Sequence, residues 1–234
     1  MKKILITGGS GAIGGALVAE FAKDSNYEVW FSYHNNKKAA DEIAHATNAR
    51  AIQIKDNDIA NVPNDFDVLV NNAASVIYDG LLETVADDHM RGTLETNLIL
   101  PFMLTKHVLR HMKSKKWGRI INISSTNSIS PLPEMTAYNV SKAALNALTK
   151  TIAKEYAEFG ITCNAVLPGL VADVGMGMAS CRHYDEDVDA IIAAHPAKRL
   201  LRANEVAHVC AFLASDGASF TNGVILPVDG GLTA

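Results

Sequence analysis

Lys3-Ile4-Leu5-Ile6-Thr7-Gly8-Gly9-Ser10-Gly11-Ala12-Ile13-Gly14 is the stretch on which the fold turns. Lys3 to Ile6 is a short apolar run that reads as a buried strand, and Gly15 to Lys23, carrying Ala16, Leu17, Ala19, Phe21 and Ala22, reads as a helix packed on a sheet. Between them a glycine-rich turn brings free backbone N–H groups and the positive end of a helix dipole to one point, which suits a pyrophosphate. Glycine is needed where the backbone turns sharply and approaches a phosphate with no Cβ in the way. Gly9, Gly11 and Gly14 satisfy G-x-G-x-x-G, a pattern with many accidental matches. The rival reading is a glycine-rich strand-to-helix turn that binds nothing.

Outward from that turn, short apolar runs alternate with helical patterns. Strands are expected near 3–6, 28–33, 50–54, 67–71, 118–123, 161–166 and 224–228, and helices near 13–24, 36–46, 86–113, 136–158 and 204–214. Such alternation calls for an α/β fold, a single-domain Rossmann arrangement over 1–234 with a doubly wound parallel sheet of about seven strands and helices on both faces. The interval between Ile54 and Phe66 is rich in Asp and Asn and contains Pro63. A helical crossover needs about ten to twelve residues or more, so a loop or single turn is expected there.

Bulk properties exclude several classes. The chain has 234 residues, 48% hydrophobic and 20% charged, an ordinary globular composition. A net charge of −4 gives no support for a nucleic-acid partner. No apolar run approaches the ~20 residues that span a bilayer, and a strand begins too soon for a signal peptide. Cys163, Cys181 and Cys210 are odd in number and unclustered, which suggests neither a disulfide framework nor a zinc site and fits a reducing cytoplasm. His183 and His195 have no ligand partner at useful spacing, so both read as surface residues and no metal is expected.

Tyr138-Asn139-Val140-Ser141-Lys142 carries the chemistry, with Ser125 upstream in Asn122-Ile123-Ser124-Ser125. Residues at i and i+4 share a helix face, so the Lys142 ammonium can sit beside the Tyr138 phenol. A free tyrosine keeps its proton to about pH 10, and a neighbouring cation lowers that value toward the range useful for proton transfer. Ser125 could hold the substrate oxygen. Taken alone, such a pair on a solvated helix face is usually incidental.

Together these stretches resemble the short-chain dehydrogenase/reductase family over essentially the whole chain. Thr7-Gly8 to Gly14 resembles its T-G-x-x-x-(A/G)-x-G turn, and Asp67-Val68-Leu69-Val70-Asn71-Asn72-Ala73-Ala74 its D-x-L-V-N-N-A-G strand, with alanine in the last place. Glu95-Thr96-Asn97, Gly118 to Ser125, Tyr138 to Lys142, Cys163 to Gly169 and Val228-Asp229-Gly230-Gly231 follow in the family's order. Its β-ketoacyl-acyl-carrier-protein reductases are the nearest in texture.

The resemblance implies a catalytic set of Asn97, Ser125, Tyr138 and Lys142. It also implies a nicotinamide cofactor held by Gly8, Gly9, Ser10, Gly11, Ile13 and Gly14, with Asp56 at the adenine (Asp58 being a rival), Asn72 at the ribose and Val171 at the nicotinamide amide. Tyr138 and Lys142 would touch the cofactor as well, and Asn97 would hold a water linking Lys142 to solvent. The implied reaction is hydride transfer to a carbonyl carbon while Tyr138 protonates the oxygen, or the reverse on an alcohol.

Cofactor choice is read where the second strand ends. An acid about twenty residues beyond the turn would bond the ribose hydroxyls of NAD, and Trp30 to Lys38 contains none. NADP(H) is therefore favoured over NAD(H), with Ser32, His34, Asn35 and Lys37 as candidate phosphate donors; Lys37 and Lys38 read first as a solvated helix start. Arginines common in the family are replaced by Gly11 and His34.

The segment 172–198 is expected to act as a substrate lid, with Asp173 where the family has threonine. The substrate would be a small carbonyl or alcohol compound, free or bound to acyl carrier protein. Lys113, Lys115, Lys116 and Arg119 retain one basic cluster associated with carrier binding, while Phe159 replaces a second basic position. The resemblance also implies a homo-oligomer, dimer or tetramer, through the helices near 86–113 and 136–158, with Phe102, Met103, Leu109, Met112, Leu145, Leu148 and Ile152 as apolar surface. A non-enzymatic nucleotide-sensing scaffold is the remaining alternative, disfavoured by the intact Asn97, Ser125, Tyr138 and Lys142.

Overall fold

The computed structural model describes residues 1–78, 80–172 and 187–234. Strands β1 (Lys2–Ile6), β2 (Tyr27–Tyr33), β3 (Arg50–Gln53), β4 (Val68–Asn71), β5 (Gly118–Ile123), β6 (Ile161–Pro168) and β7 (Ile225–Val228) form one sheet in the order β3-β2-β1-β4-β5-β6-β7. Every adjacent pair is parallel. The order reverses between β1 and β4, so the crevice beyond their carboxyl ends is the topological switch point where such sheets bind ligands.

Side chains alternate across the sheet, because successive residues of a strand point to opposite faces. Ile4, Ile6, Val68, Val70, Ile121 and Ile123 belong to one core, while Leu5, Leu69 and Ile120 belong to the other. Helices α1 (Ala12–Ala22), α2 (Lys37–Thr47) and α7 (Ala203–Ala214) supply Leu17, Phe21, Ala40, Val206, Cys210 and Leu213 to the first core. The second receives Leu104, Val108 and Met112 from α4 (Leu100–Lys115) and Ile152 from α5 (Thr136–Tyr156). Two further helices are α3 (Asp87–Leu94) and α6 (Val188–Ala194).

The helix expected over 86–113 is not continuous. A π-helical turn, Glu95–Ile99, separates α3 from α4. The cause is Pro101, which sits at the start of α4 and has no N–H for the Asn97 carbonyl four residues back. A regular ladder cannot pass that point, and the wider turn takes its place.

The short crossover before β4 stays free of helix, as its length demands. Ile54, Val62 and Phe66 are buried along it. Trp30 packs edge-on against Phe66, with ring centroids 6.0 Å apart, and the Arg50 guanidinium lies 5.2 Å from the centre of the Trp30 ring. Large aromatic groups thus cover sheet surface that a helix would otherwise cover.

Most of the apolar residues assigned to an oligomer face belong to the core. Leu109, Met112, Leu145 and Ile152 are buried, whereas Phe102 is 48% exposed and Val140, two residues before Lys142, is 45% exposed. Among the described residues, no helix is long and apolar enough to cross a membrane.

Candidate active site

The carboxyl ends of β1, β2, β4, β5 and β6 open into one cleft of about 1340 Å³. Its floor on the β1 side is the glycine turn. Gly8 adopts φ +66°, and a Cβ there would crowd Ala73 at 2.9 Å. A Cβ on Gly14 would run into the carbonyl oxygen of Gly8, so helix and turn can close only with glycine in place. Gly9 is turned inward, donating to Ser32 O at 2.8 Å and packing on Phe31.

The amino terminus of α1 has no side-chain cap and no acid in its first turn, and Gly11, Ala12, Ile13 and Gly14 line the cleft. Uncapped N–H groups and a positive dipole end facing an open cavity fit a diphosphate. The residues present therefore suit the pyrophosphate of a dinucleotide.

β4 braces this turn. Thr7 Oγ1 accepts from the backbone N–H groups of Asn72 and Ala73, both at 2.9 Å, and Asn72 Nδ2 donates to Thr7 O at 2.8 Å and to Gly8 O at 3.2 Å. Ser32 is buried, and its hydroxyl accepts from Gly8 N at 3.2 Å, so its first task is to fix the turn. His34 is exposed and lines the cleft beyond it. Asn35 is exposed outside the lining, and Lys37 is paired with Asp41 at 2.7 Å on the surface of α2. Asp56 lines the cleft, whereas Asp58 accepts from Ala60 N and lies outside the lining.

The catalytic candidates converge from β5, α5 and the π-helical turn. Ser125, Tyr138 and Lys142 all line the cleft. The Ser125 hydroxyl hydrogen-bonds the Tyr138 phenol and accepts from Asn127 N at 3.1 Å. Lys142 is 2% exposed, and its ammonium donates to Ile123 O at 2.8 Å while lying 5.6 Å from the centre of the Tyr138 ring. Ser124 donates to the Lys142 carbonyl at 3.2 Å, so the adjacent serines divide their work.

Asn97 is fully buried, and its amide is committed to protein. It accepts from Ser75 N at 2.7 Å and donates to Ser75 O at 2.9 Å and to Ser141 Oγ at 3.0 Å. The wider turn therefore joins the loop after β4 to α5.

Electrostatics differ from the expectation drawn from spacing. Burial is the dominant influence on Tyr138 and raises its pKa, and the Ser125 hydrogen bond opposes that only in part. Burial also lowers Lys142 to about 7. With its ammonium turned to the Ile123 carbonyl, Lys142 does not acidify the phenol in this arrangement. Tyr138 is a protonated group at neutral pH.

Two other expectations are corrected. His195 is 6% exposed and lines the cleft, so it is not a surface residue. The basic cluster lies by the amino-terminal edge of the sheet, since Lys116 ends α4 and Gly118 begins β5, whereas Ser125 follows the far end of β5. Arg119 there is 2% exposed and donates to the carbonyls of Gly118, Gly160 and Ser215, while Lys115 binds Asp67 at 2.9 Å.

Val171 pairs with Leu201 in a parallel bridge and lines the cleft at the carboxyl end of β6. Asp173 and His183 lie outside the described residues, as does most of the expected lid; its described part includes α6. Tyr78, Leu132, Leu232 and Thr233 also line the cleft and carry no sequence signal of their own.

Comparison with known proteins agrees with this geometry. Residues 10–233 match a family model described as enoyl-(acyl carrier protein) reductase. The 3-oxoacyl-acyl-carrier-protein reductase FabG of Haemophilus influenzae is 34% identical over 99% of this chain and 98% of that protein. The acetoacetyl-CoA reductase of Cupriavidus necator is 31% identical over 97% and 96%. Among solved structures, ElxO with NADP bound has a TM-score of 0.86 at 30% identity, covering 99% of this chain and 98% of its own. A putative NAD(P)-dependent gluconate 5-dehydrogenase from Beutenbergia cavernae, with bound NADP at low occupancy, has a TM-score of 0.86 at 31% identity over 99% and 96%. Sheet order, glycine turn, Ser125–Tyr138–Lys142 cluster and these likenesses agree: the chain belongs to the short-chain dehydrogenase/reductase family of NAD(P)-dependent oxidoreductases.

Proposed function

We propose that this chain is an NADPH-dependent carbonyl reductase acting on a 3-oxoacyl thioester or a related small ketone. The reading is carried by one observation, the hydrogen-bonded Ser125–Tyr138 pair facing a cleft whose other end is the uncapped terminus of α1. A nicotinamide cofactor, when bound, supplies the hydride. Tyr138, kept protonated by burial, donates its proton to the carbonyl oxygen, and Ser125 hydrogen-bonds the same oxygen. Lys142, held by the Ile123 carbonyl, would orient the ribose of the bound cofactor. Asn97, through Ser75 and Ser141, holds the loop and helix on which these groups stand.

NADP(H) is preferred over NAD(H), because the end of β2 offers the exposed His34 and no carboxylate to repel a 2′-phosphate. Gly8, Ser10, Gly11, Ile13, Gly14, Asn72 and Val171 complete the cofactor site, with Asp56 at the adenine. The names of the relatives bring acyl thioesters to this chain as candidate substrates. The lysine cluster gives a carrier protein no hold beside this chain's own cleft. Phe102 and Val140 support self-association through α4 and α5, and the buried Cys163 and Cys210 suit a reducing cytoplasm. The same residues run in reverse would oxidise a secondary alcohol, a direction that the gluconate dehydrogenase likeness keeps in view.

The test is NADPH oxidation with acetoacetyl thioesters, free ketones and aldehydes. Tyr138→Phe should abolish turnover and keep NADPH affinity within about threefold, since the phenol adds little to cofactor binding. Full activity in that variant would overturn the reading.

A further inference from the structure

His195 follows the last turn of α6 in extended backbone and is walled in by protein. It lines both the catalytic cleft and a smaller cavity of about 410 Å³ behind it. The ring rests against the backbone of Gly230, where any Cβ would meet its Cε1 at 2.8 Å. Its Nδ1 accepts a hydrogen bond from Ala197 N at 3.1 Å. An imidazole nitrogen that accepts carries no hydrogen, so the neutral ring places its hydrogen on Nε2. Nε2 has no hydrogen-bond partner among the described residues.

Leu132, Ile191, Ala194 and Leu232 line the same cleft as His195. Among the described residues, Lys142 is the single lysine or arginine that lines the cleft. An oxygen acceptor on the substrate that reaches His195 would find the Nε2–H as a donor.

We propose that His195 is a specificity residue whose Nε2–H donates to a second carbonyl oxygen of the substrate. The substrate class is then a keto ester, keto thioester or other dicarbonyl rather than a monofunctional ketone. The inference rests on the reductase reading above and narrows it.

The experiment compares His195→Leu and His195→Gln with the parent enzyme on ethyl acetoacetate, 2-pentanone and acetoacetate, all with NADPH. Leucine keeps bulk without a donor, and the glutamine amide returns one near Nε2. The leucine variant should raise KM for ethyl acetoacetate about tenfold, the size of one lost neutral hydrogen bond, and leave 2-pentanone within about twofold. Glutamine should restore most of the loss. Equal effects on both ketones, or no effect on either, would overturn the proposal. Should the parent reduce none of the three and no acetoacetyl thioester, the reductase reading falls by itself. Calorimetric affinity for ethyl acetoacetate then decides the role of His195, and equal affinity in parent and leucine variant would refute it.

Discussion

Asn97 Nδ2 lies 3.0 Å from Ser141 Oγ, and that hydroxyl donates onward to the Tyr138 carbonyl at 2.7 Å. One side chain thus links the wider helical turn to the backbone of the candidate proton donor. Ser141→Ala leaves a buried amide hydrogen of Asn97 without an acceptor, at a cost of about 1–3 kcal/mol. The expected result is a lower melting temperature and a drop in kcat of about tenfold, with KM for NADPH changed by less than about threefold. Unchanged kcat in a correctly folded variant would contradict the link.

Lys142 gives a pH signature. Burial lowers it to about 7, whereas the unfolded chain keeps a lysine value near 10.4. Between about pH 7 and 10 the unfolded state binds the extra proton, so this group makes stability rise with pH across that window; below it both states are charged and the burial penalty is complete. Lys142→Met carries no such group. The stability of parent relative to variant, from guanidinium midpoints, should therefore increase from about pH 6.5 to 9.5. A constant difference would contradict the burial account.

His34 is the position at which cofactor preference can be inverted. His34→Asp puts a carboxylate on the cleft beside the end of β2. The Kd for NADPH should rise about tenfold or more, equivalent to about 1.4 kcal/mol, while the Kd for NADH stays level or falls. Fluorescence titration of both cofactors measures the ratio. Equal weakening of the two would place the 2′-phosphate elsewhere.

Trp30 carries the cover over the short crossover. Trp30→Ala should cost about 2 kcal/mol through lost packing on Phe66, since Trp30 is only partly buried, visible as a lower urea midpoint. Trp30 lies outside the cleft lining, so kcat in the folded variant should hold within about twofold.

The expected strands match the seven observed within a few residues because a parallel sheet buried on both faces writes continuous apolar runs into the chain. The meeting of Ser125, Tyr138 and Lys142 in one cleft was legible because i,i+4 spacing on a helix and the end of a neighbouring strand bring them together. The break in the long helix was not read: Pro101 has no N–H to offer the Asn97 carbonyl, but the apolar period across 86–113 masks it. His195 and Tyr78 were not accessible to periodicity, because only the return of distant segments over the cleft gives them a common neighbour. The direction of the Lys142 ammonium also escaped. Helical spacing puts two side chains on one face, but a strand carbonyl from Ile123 decides where the charge goes.

The π-helical turn between α3 and α4 acts as a rotational offset. One residue advances an α-helix by about 100°. The wider turn takes up one residue more than an α-turn, so Asn97 reaches Ser75 and Ser141 while Leu104, Val108 and Met112 seat in their core. Deleting a single residue between Glu95 and Ile99 would leave the missing N–H of Pro101 in place and take away the position that lets both fits hold at once.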